Sequence, residues 1–413
     1  MLKNYIKIAW KVLLRRPFYT FITLFGITFT LTILMVIASF VDHLIGNHYP
    51  EVYRDRSVYI SRVKQQDSLR QSTRISPLTF QFLNQYAASL KSADKVGIVN
   101  MFNQANAYSN GQRIKLGVKY SNPEFWEVAR FDFLEGKPFN EAHIRNRDNV
   151  VVISDKLRGQ YFGGNGPATG KTIEIDNERF RVIGVVKGVP STRPMTSGDA
   201  YFPYTVSKSN YEKQGYVGSF VVLATAKTRA GRKAIEEEYA EIIRRIPKPL
   251  EEDGMRVYHM ESEALPYLES WLSNFIEEDG VPKFYSALFL LALIILLLPT
   301  INLVNLNISR IVERSSEISI RKAFGAPSST ILWQFVVENM FIALVGGVIA
   351  LAFTLLVLTM INQSGWIPNA VLVINFPVFL VSILLCLLFG FISGVYPAWR
   401  MSRMPVADAL RAG

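Results

Sequence analysis

Four long apolar runs divide the chain. The hydrocarbon core of a bilayer is about 30 Å thick, and a helix needs about 20 apolar residues to cross it. Runs of this kind occupy residues 21–41, 284–307, 335–361 and 376–398. Their length predicts four transmembrane helices, joined by segments of very different size.

The longest joining segment, residues 42–283, is large enough to bury a core of its own. Short apolar runs bounded by turn residues predict strands at 58–63, 114–120, 150–153, 172–175 and 180–186. Helical periodicity predicts helices at 77–90, 155–162 and 230–245. Residues 265–276 are aromatic and acidic, and we expect them to continue the second membrane helix outward.

Basic residues flank the apolar runs unevenly, and this asymmetry predicts their orientation. Among the short segments that flank the runs, Lys and Arg occur in residues 1–20, 308–334 and 399–413, whereas the loop 362–375 has neither. The three basic segments are therefore predicted to be cytoplasmic, together with both termini. The first run is too long for the apolar core of a signal peptide, so it is expected to be an uncleaved anchor. The predicted fold class is an α-helical membrane protein with four transmembrane helices plus a mixed α/β extracytoplasmic domain inserted between helices 1 and 2.

Composition narrows the functional classes. The chain is 49% hydrophobic and 19% charged, below the 25% or so of charged residues that is usual in soluble proteins. Its net charge is +11, yet residues 42–283 hold 33 Lys/Arg against 30 Asp/Glu, so most of the excess lies beside the apolar runs. This distribution argues against a nucleic-acid partner.

Few residues of the chain could perform redox, metal or hydrolytic chemistry. The single cysteine, Cys386, cannot form a disulfide within the chain or a CxxC motif. Four scattered histidines and the absence of a GxSxG pattern give no support to a membrane-anchored hydrolase. The sequence therefore predicts no catalytic residue, no metal ligand and no bound cofactor.

One glycine-rich segment, residues 163–172, imitates a nucleotide-binding loop. It reads GGNGPATGKT, but Asn165 occupies the position that the Walker A pattern requires to be glycine. The predicted order is helix, loop, strand, the reverse of a phosphate-binding loop, in which the loop opens a helix. The segment is therefore expected to be a turn.

The basic segment between the second and third apolar runs has the pattern of a short helix and a tight turn. Glu317 and Arg321 are four residues apart, in the favourable order for a helical ion pair. Gly325 suits the position after a helix, and Pro327 prevents its continuation. Taken alone, this pattern fits either a solvated basic loop or a helix that contacts a cytoplasmic partner.

The segment containing ER..EI.IRKA.GA resembles the cytoplasmic motif of FtsX-like/MacB-like ABC transporter permeases. The C-terminal YPAWRMSRMPVADALR resembles the ending of that family, and FLEGKPF, VVIS and FRVIGVV resemble its periplasmic core domain. The chain departs from the family pattern at Ser319, Ala350 and Met401, which bears on helix packing rather than on membership.

The resemblance implies a multi-pass permease subunit in the inner membrane of a bacterium, working by mechanotransmission. A separate cytoplasmic ABC ATPase would supply ATP hydrolysis, and the permease would pair with a second copy or a related permease. The substrates of such systems are drugs, peptides or lipoproteins, and some members control cell-wall enzymes. The ATPase-coupling residues implied by the matched motif are Glu313, Arg314, Glu317, Ile318, Arg321, Lys322, Ala323, Gly325 and Ala326.

The paired glycines of the third apolar run, Gly346 and Gly347, are expected to allow close helix packing. Membrane lipid is the other expected partner of these helices. The alternative function is a membrane sensor or scaffold that signals through its extracytoplasmic domain without coupling to an ATPase.

Overall fold

The computed structural model describes residues 14–15, 17–67, 72–101, 103–109, 111–164, 166–207, 211–247, 251–276, 279–313, 320, 324–325 and 327–402, and for some helical residues the backbone alone. The chain separates into two compact units. The helical unit comprises residues up to Asp42, Pro282–Trp366 and Val371 onward. The inserted domain comprises His43–Val281 together with the short segment Ile367–Ala370.

The described residues form helices that fall into two length classes, long ones in the helical unit and short ones in the inserted domain. In chain order they are α1 (Pro17–Ile45), α2 (Phe80–Phe82), α3 (Phe125–Val128), α4 (Glu141–Asn146), α5 (Asp155–Phe162), α6 (Arg232–Arg245), α7 (Tyr267–Leu272), α8 (Gly280–Glu313), α9 (Ser328–Ser364) and α10 (Phe376–Ser402).

Three helices contain stretches long and apolar enough to cross a membrane, at Pro17–Ile45, Gly280–Leu297 and Leu332–Ser364. In α10 the corresponding apolar stretch of described residues is Phe376–Leu388, which is shorter. The fourth transmembrane helix therefore stays a prediction.

Within the helical unit, α1 packs closely on α9. Ile27 and Leu31 are buried against Ile342, Ala343 and Ala350. The hydroxyls of Thr28 and Thr32 donate to the carbonyl oxygens of Gly346 and Ala350 at 3.3 and 3.5 Å. Small residues on α9 thus let the two backbones approach closely enough for side chain to backbone hydrogen bonds, as in many membrane helix pairs.

Gly346 and Gly347 differ in the space around them, and this predicts different tolerance to substitution. A Cβ on Gly346 would lie 2.7 Å from Cγ2 of Ile27, whereas one on Gly347 would lie 3.2 Å from the flexible Cδ1 of Ile383. We expect Gly346→Ala to lower stability by about 1–3 kcal/mol through overpacking and Gly347→Ala to cost less. Thermal unfolding of the detergent-solubilised chain measures this.

The matched control for that prediction is Gly346→Ala combined with Ile27→Ala, which removes the methyl group that would clash. Gly346→Ala should cost less stability when it is added to Ile27→Ala than when it is made in the wild-type chain. Equal losses for Gly346→Ala and Gly347→Ala would contradict the packing argument.

The inserted domain is built on thirteen strands within its described residues. They are β1 (Ser57–Ile60), β2 (Val63–Asp67), β3 (Thr73–Ser76), β4 (Lys95–Asn100), β5 (Gln104–Ser109), β6 (Gln112–Ser121), β7 (Phe133–Gly136), β8 (Val150–Ser154), β9 (Thr172–Ile175), β10 (Glu178–Val186), β11 (Ala200–Pro203), β12 (Phe220–Thr225) and β13 (Val257–Ser262).

Ten of these strands form one mixed sheet in the order β1-β12-β4-β6-β11-β8-β10-β9-β5, with β7 beside β10. Because β5 also pairs with β6, the strands from β6 to β5 close into a ring. The pairs β8–β10 and β6–β11 are parallel, and the other pairs of this sheet are antiparallel. The remaining strands form a second sheet in the order β13-β2-β3.

Local sequence explains several of the elements. Every residue of β8 is buried, in accordance with its continuous apolar run. The helix α5 begins where the Ser154 hydroxyl accepts a hydrogen bond from the amide of Leu157 at 3.1 Å, an N-cap. Both α5 and β9 have the bounds predicted from the sequence.

Three sequence predictions within the domain were wrong. The strand expected at 58–63 is two strands, β1 and β2, that join different sheets. The helix expected at 77–90 begins at Phe80 and becomes a π-helix at Leu83–Ala87. The segment 265–276 does not continue α8, because α7 ends at Leu272 and a turn follows. Leu265 instead pairs with Tyr59 of β1, which ties this segment into the sheet.

The glycine-rich segment 163–172 is a turn between α5 and β9, as predicted. Gly163, Gly164 and Gly170 have φ values of 70°, 120° and 88°, which favour glycine. Since a helix precedes the turn and a strand follows it, its geometry differs from that of a phosphate-binding loop.

Candidate functional site

Residues 189–196, here called the anchor segment, form the loop that follows β10 in the inserted domain. Side chains from distant parts of the chain hold this loop by buried polar contacts. It is bonded to the end of α1 and the residues after it, to the strand β6 and to the short segment between α9 and α10.

The Glu51 carboxylate lies at the centre of this network and is 4% exposed. Oε2 accepts hydrogen bonds from Arg54 Nη2 at 2.7 Å and from the Tyr59 hydroxyl at 2.8 Å, and Oε1 accepts one from the Thr196 hydroxyl at 2.8 Å. Burial by itself raises the pKa of Glu51, but the charges of Arg54 and Arg193 and these hydrogen bonds outweigh it and hold the pKa below its usual value. The carboxylate is therefore ionised and fully partnered.

Arg193 of the anchor segment is completely buried. Its Nη2 donates to the carbonyl oxygens of His43 and Gly46, both at 3.2 Å, and its Nη1 lies 3.9 Å from Glu51 Oε2. Burial and the nearby Arg54 charge lower the pKa of Arg193 to about 10, so the guanidinium is still charged at neutral pH. The Thr192 hydroxyl lies 3.0 Å from His43 Nε2, a second contact between the anchor segment and the residue at which the inserted domain begins.

Arg54 also holds the end of α1 to the inserted domain. Its Nη1 donates to the carbonyl oxygen of Leu44, and its guanidinium carbon lies 3.6 Å from the centre of the Tyr267 ring, a cation–π contact. Burial lowers the pKa of Arg54, but the Glu51 charge raises it by more, so the net shift is upward. The end of α1 and the residues after it are thus fastened by two buried arginines that share one carboxylate.

Lys119 of β6 holds the anchor segment from the sheet side. Its Nζ donates to the carbonyl oxygens of Asn100, Met101 and Pro194, the last at 2.7 Å. Burial lowers the pKa of Lys119 to about 7. Three acceptors around one nitrogen match the three donors of an ammonium group, since a neutral amine has two. The geometry therefore favours the charged form.

The segment Ile367–Ala370, which lies between α9 and α10, is also hydrogen-bonded to the anchor segment and lies close to the neighbouring residue Gly188. Asn369 Nδ2 donates to the carbonyl oxygen of Val189 at 3.2 Å, and the Ser191 amide donates to the carbonyl oxygen of Pro368 at 3.4 Å. A Cβ on Gly188 would lie 2.7 Å from Asn369 Nδ2, so glycine is needed for this approach.

These contacts hold elements together and do not form a reactive site. Each charge is directed at a counter-charge or a carbonyl, as buried charges require. Among the described residues, no group of three His, Cys, Asp or Glu side chains could hold a metal ion.

The residues predicted to couple to an ATPase fall at the edge of the described structure. Glu313 is the last residue of α8, and Gly325 has a φ of 87°, as a turn glycine would. The predicted residues Arg314, Glu317, Ile318, Arg321, Lys322, Ala323 and Ala326 lie outside the described residues. Gly346 and Gly347 lie on α9, where they face Ile27 and Ile383.

Sequence reasoning missed the anchor residues Glu51, Arg54, Lys119 and Arg193. They are far apart in the chain, and each has the appearance of an ordinary surface charge. The one local signal is that Arg193 stands alone in the Pro/Ser/Thr-rich stretch VPSTRPMTSG, whose composition predicts a loop.

Two family models match the chain. Residues 20–241 match the MacB-like periplasmic core domain, and residues 289–406 match the FtsX-like permease C-terminal domain. The first match alone covers more than half of the chain. The first match thus covers most of α1 and the inserted domain as far as residue 241, including the anchor segment, and the second covers most of α8 together with α9 and α10.

The curated relatives include macrolide export proteins that combine ATP-binding and permease parts. The macrolide export ATP-binding/permease protein MacB of Burkholderia cenocepacia is 29% identical over 289 residues, covering 69% of this chain and 40% of its own length. MacB of Escherichia coli K12 is 26% identical over 294 residues, covering 70% of this chain and 42% of its own. The chain thus spans about 40% of the length of these relatives.

Among solved structures, the periplasmic region of MacB from Actinobacillus actinomycetemcomitans aligns at 14% identity with a TM-score of 0.37, covering 54% of this chain and 94% of that one. The extracellular domain of the transporter YknZ from Gram-positive bacteria aligns at 16% identity with a TM-score of 0.34, covering 45% and 91%. On the two family models, which between them extend from residue 20 to residue 406, this chain belongs to the ABC transporter permeases that have a MacB-like periplasmic core domain and an FtsX-like permease domain.

Proposed function

We propose that this chain is a permease subunit that transmits the ATP-driven motion of a separate cytoplasmic ATPase to its inserted domain, outside the inner membrane of a bacterium. It works as a pair, with a second copy or a related permease. Residues 313–326 contact the ATPase. The motion exports or releases drugs, peptides or lipoproteins, or controls a cell-wall enzyme.

The observation that carries this proposal is the anchor segment. Residues 43–46, which are the last residues of α1 and the residue after it, and residues 367–370, which lie between α9 and α10, are both hydrogen-bonded to the same loop of the inserted domain. The bonds to residues 43–46 come from the buried guanidinium of Arg193 and are charge-assisted, whereas the bonds to residues 367–370 are between neutral groups, at 3.2 and 3.4 Å. A displacement applied at either place would therefore be passed to the domain rather than absorbed by a loose linker.

Copurification tests the coupling to an ATPase. The full chain, expressed in its own host and solubilised in detergent, should bring down an ABC ATPase subunit whose ATP hydrolysis rises when both are placed in lipid nanodiscs. If no ATPase copurifies and the inserted domain still elicits a cellular response, the chain is instead a sensor or scaffold.

The anchor contact itself is testable at Asn369. Glycine is the appropriate replacement, because Asn369 has a φ of 60° that other side chains strain to adopt. We expect Asn369→Gly to leave ATPase association unchanged and to lower cellular output several-fold, since it removes a hydrogen bond of about 1 kcal/mol from the anchor. Export or resistance assays in cells measure the output.

A matched control is available close to Asn369, where α9 is joined to α10. Asn362 exchanges two hydrogen bonds with Leu372, at 3.0 and 2.9 Å, within the helical unit. Asn362→Ala should therefore affect output much less than Asn369→Gly. An equal effect of the two variants would show that general loosening of this connection, and not the anchor contact, is responsible.

A further inference from the structure

A second polar site lies in the inserted domain, beside the start of β1, and is a cavity of about 340 Å³. It is lined by side chains from the turn before β1, from the start of β4 and from α3, together with Arg130 and Thr225. A volume of this size is at the small end of the range of ligand sites in proteins.

Two arginines share one aromatic ring at this cavity. The guanidinium carbon of Arg56 lies 3.8 Å, and that of Arg130 5.2 Å, from the centre of the Tyr53 ring. The two guanidinium carbons are therefore at most about 9 Å apart. Within the described part of the chain, neither guanidinium has a carboxylate within ion-pairing distance, although each repels the other.

The other charges at the cavity do not neutralise this pair. Lys95 is engaged by Glu127, with Nζ 2.5 Å from Oε2. Asp94 lines the cavity but forms no ion pair with either arginine. The lining thus carries three basic and two acidic side chains, a net charge of +1, with both arginines outside any ion pair of the described residues and Asp94 available for another part of a ligand.

We propose that this cavity binds a phosphate group, carried either by a phospholipid headgroup or by a soluble phosphorylated compound. A soluble phosphate monoester has a charge of about −1.5 to −2 at neutral pH and three acceptor oxygens. The diester of a phospholipid headgroup has about one negative charge, and in both cases the phosphate oxygens can accept hydrogen bonds from planar guanidiniums. Asp94 then faces a hydroxyl or ammonium group of the same ligand. The site is separate from the anchor segment and does not depend on the proposed coupling.

The test uses the full chain in a phosphorus-free detergent, titrated calorimetrically with inorganic phosphate, glycerol 3-phosphate and dihexanoyl phosphatidylglycerol. Arg130→Gln is the informative variant, because Arg130 is exposed and its removal leaves the Arg56 bond to the Lys227 carbonyl intact. Loss of a charged donor is expected to raise the Kd about tenfold or more. Arg179→Gln, the same charge change at an exposed site on β10, should leave the Kd unchanged.

The probes distinguish the source of the phosphate. Tighter binding of dihexanoyl phosphatidylglycerol than of glycerol 3-phosphate, lost in Arg130→Gln, identifies a lipid headgroup site. Equal or tighter binding of glycerol 3-phosphate identifies a soluble ligand. Absence of binding by all three probes, or an equal loss in Arg130→Gln and Arg179→Gln, overturns the proposal.

Discussion

Replacing Glu51 by alanine is expected to lower the free energy of unfolding of the inserted domain by about 3–5 kcal/mol, because it leaves buried charge without a counter-ion. Arg54 and Arg193 are 3% and 0% exposed, and Glu51 is the acidic residue that pairs with both. The Tyr59 and Thr196 hydroxyls would lose their shared acceptor as well. The loss is measured by unfolding the solubilised full chain in denaturant, with the protease resistance of the inserted domain as the readout.

An exposed carboxylate provides the comparison. Glu174 pairs with Arg179 at 3.7 Å on the domain surface, and its side chain is 50% exposed. Glu174→Ala should change the unfolding free energy by less than about 1 kcal/mol. If Glu51→Ala were as mild as Glu174→Ala, the anchor network would contribute little, and the mechanical proposal would lose its structural basis.

Acid should remove the same stabilisation from the wild-type chain. The pKa of Glu51 is lower in the folded chain than its ordinary value of 4.5, so the folded state binds fewer protons than the unfolded state. The stabilisation is therefore complete above about pH 4.5 and is lost as the pH falls through the folded pKa. Glu51→Ala lacks this contribution, so its stability should fall less steeply over the same acidic range.

Reversing one charge of the predicted coupling segment should have the largest effect on activity. We expect Glu317→Arg or Arg321→Glu to reduce stimulation of the partner ATPase about tenfold or more, because charged residues at the centre of an interface are often worth 2 kcal/mol or more. The sequence places these two residues four apart, so the double reversal should recover part of the loss by restoring their ion pair. Ile318→Pro should be at least as damaging, since proline inside a helix costs about 3 kcal/mol.

The control for this prediction lies on α6 of the inserted domain. Lys233 and Glu237 form an exposed i,i+4 pair at 3.7 Å, so Glu237→Arg makes the same kind of change away from any predicted ATPase contact. ATP hydrolysis by the reconstituted complex should be normal in Glu237→Arg. If Glu317→Arg, Arg321→Glu and Ile318→Pro all stimulated ATP hydrolysis as fully as the wild type, the coupling hypothesis would be wrong. Residues 313–326 would then be only a basic loop beside the membrane.

The sequence predicted best those elements whose pattern is local. The bounds of α5 and β9 were correct because a serine cap and strict alternation mark them within a few residues. Each long helix contains one of the four apolar runs and extends beyond it. Residues 335–361, for example, are the apolar part of α9, which extends over Ser328–Ser364, because an apolar window ends where a helix continues through polar residues.

The anchor segment could not be predicted in the same way. Its contacts join Glu51 to Arg193 and Lys119 to Pro194, and no periodicity links residues so far apart. A buried arginine and an exposed one look alike in a single sequence. What places Arg193 inside is the topology of the ten-stranded sheet, which brings residues 43–60 beside the loop after β10.

The strand pairing of the inserted domain also sets the order in which it can fold during synthesis. Ser57 on β1 lies opposite Thr225 on β12, and Val63 on β2 lies opposite Ser262 on β13. The earliest strands to emerge must therefore wait for about 200 residues, or about 10–40 s of translation, before their partners arrive. Pairings of such high contact order form slowly and leave strand edges open in the meantime. On the proposed topology, with the domain outside the inner membrane, the domain should depend on a holding chaperone there, and chains truncated before β13 should be strong protease substrates.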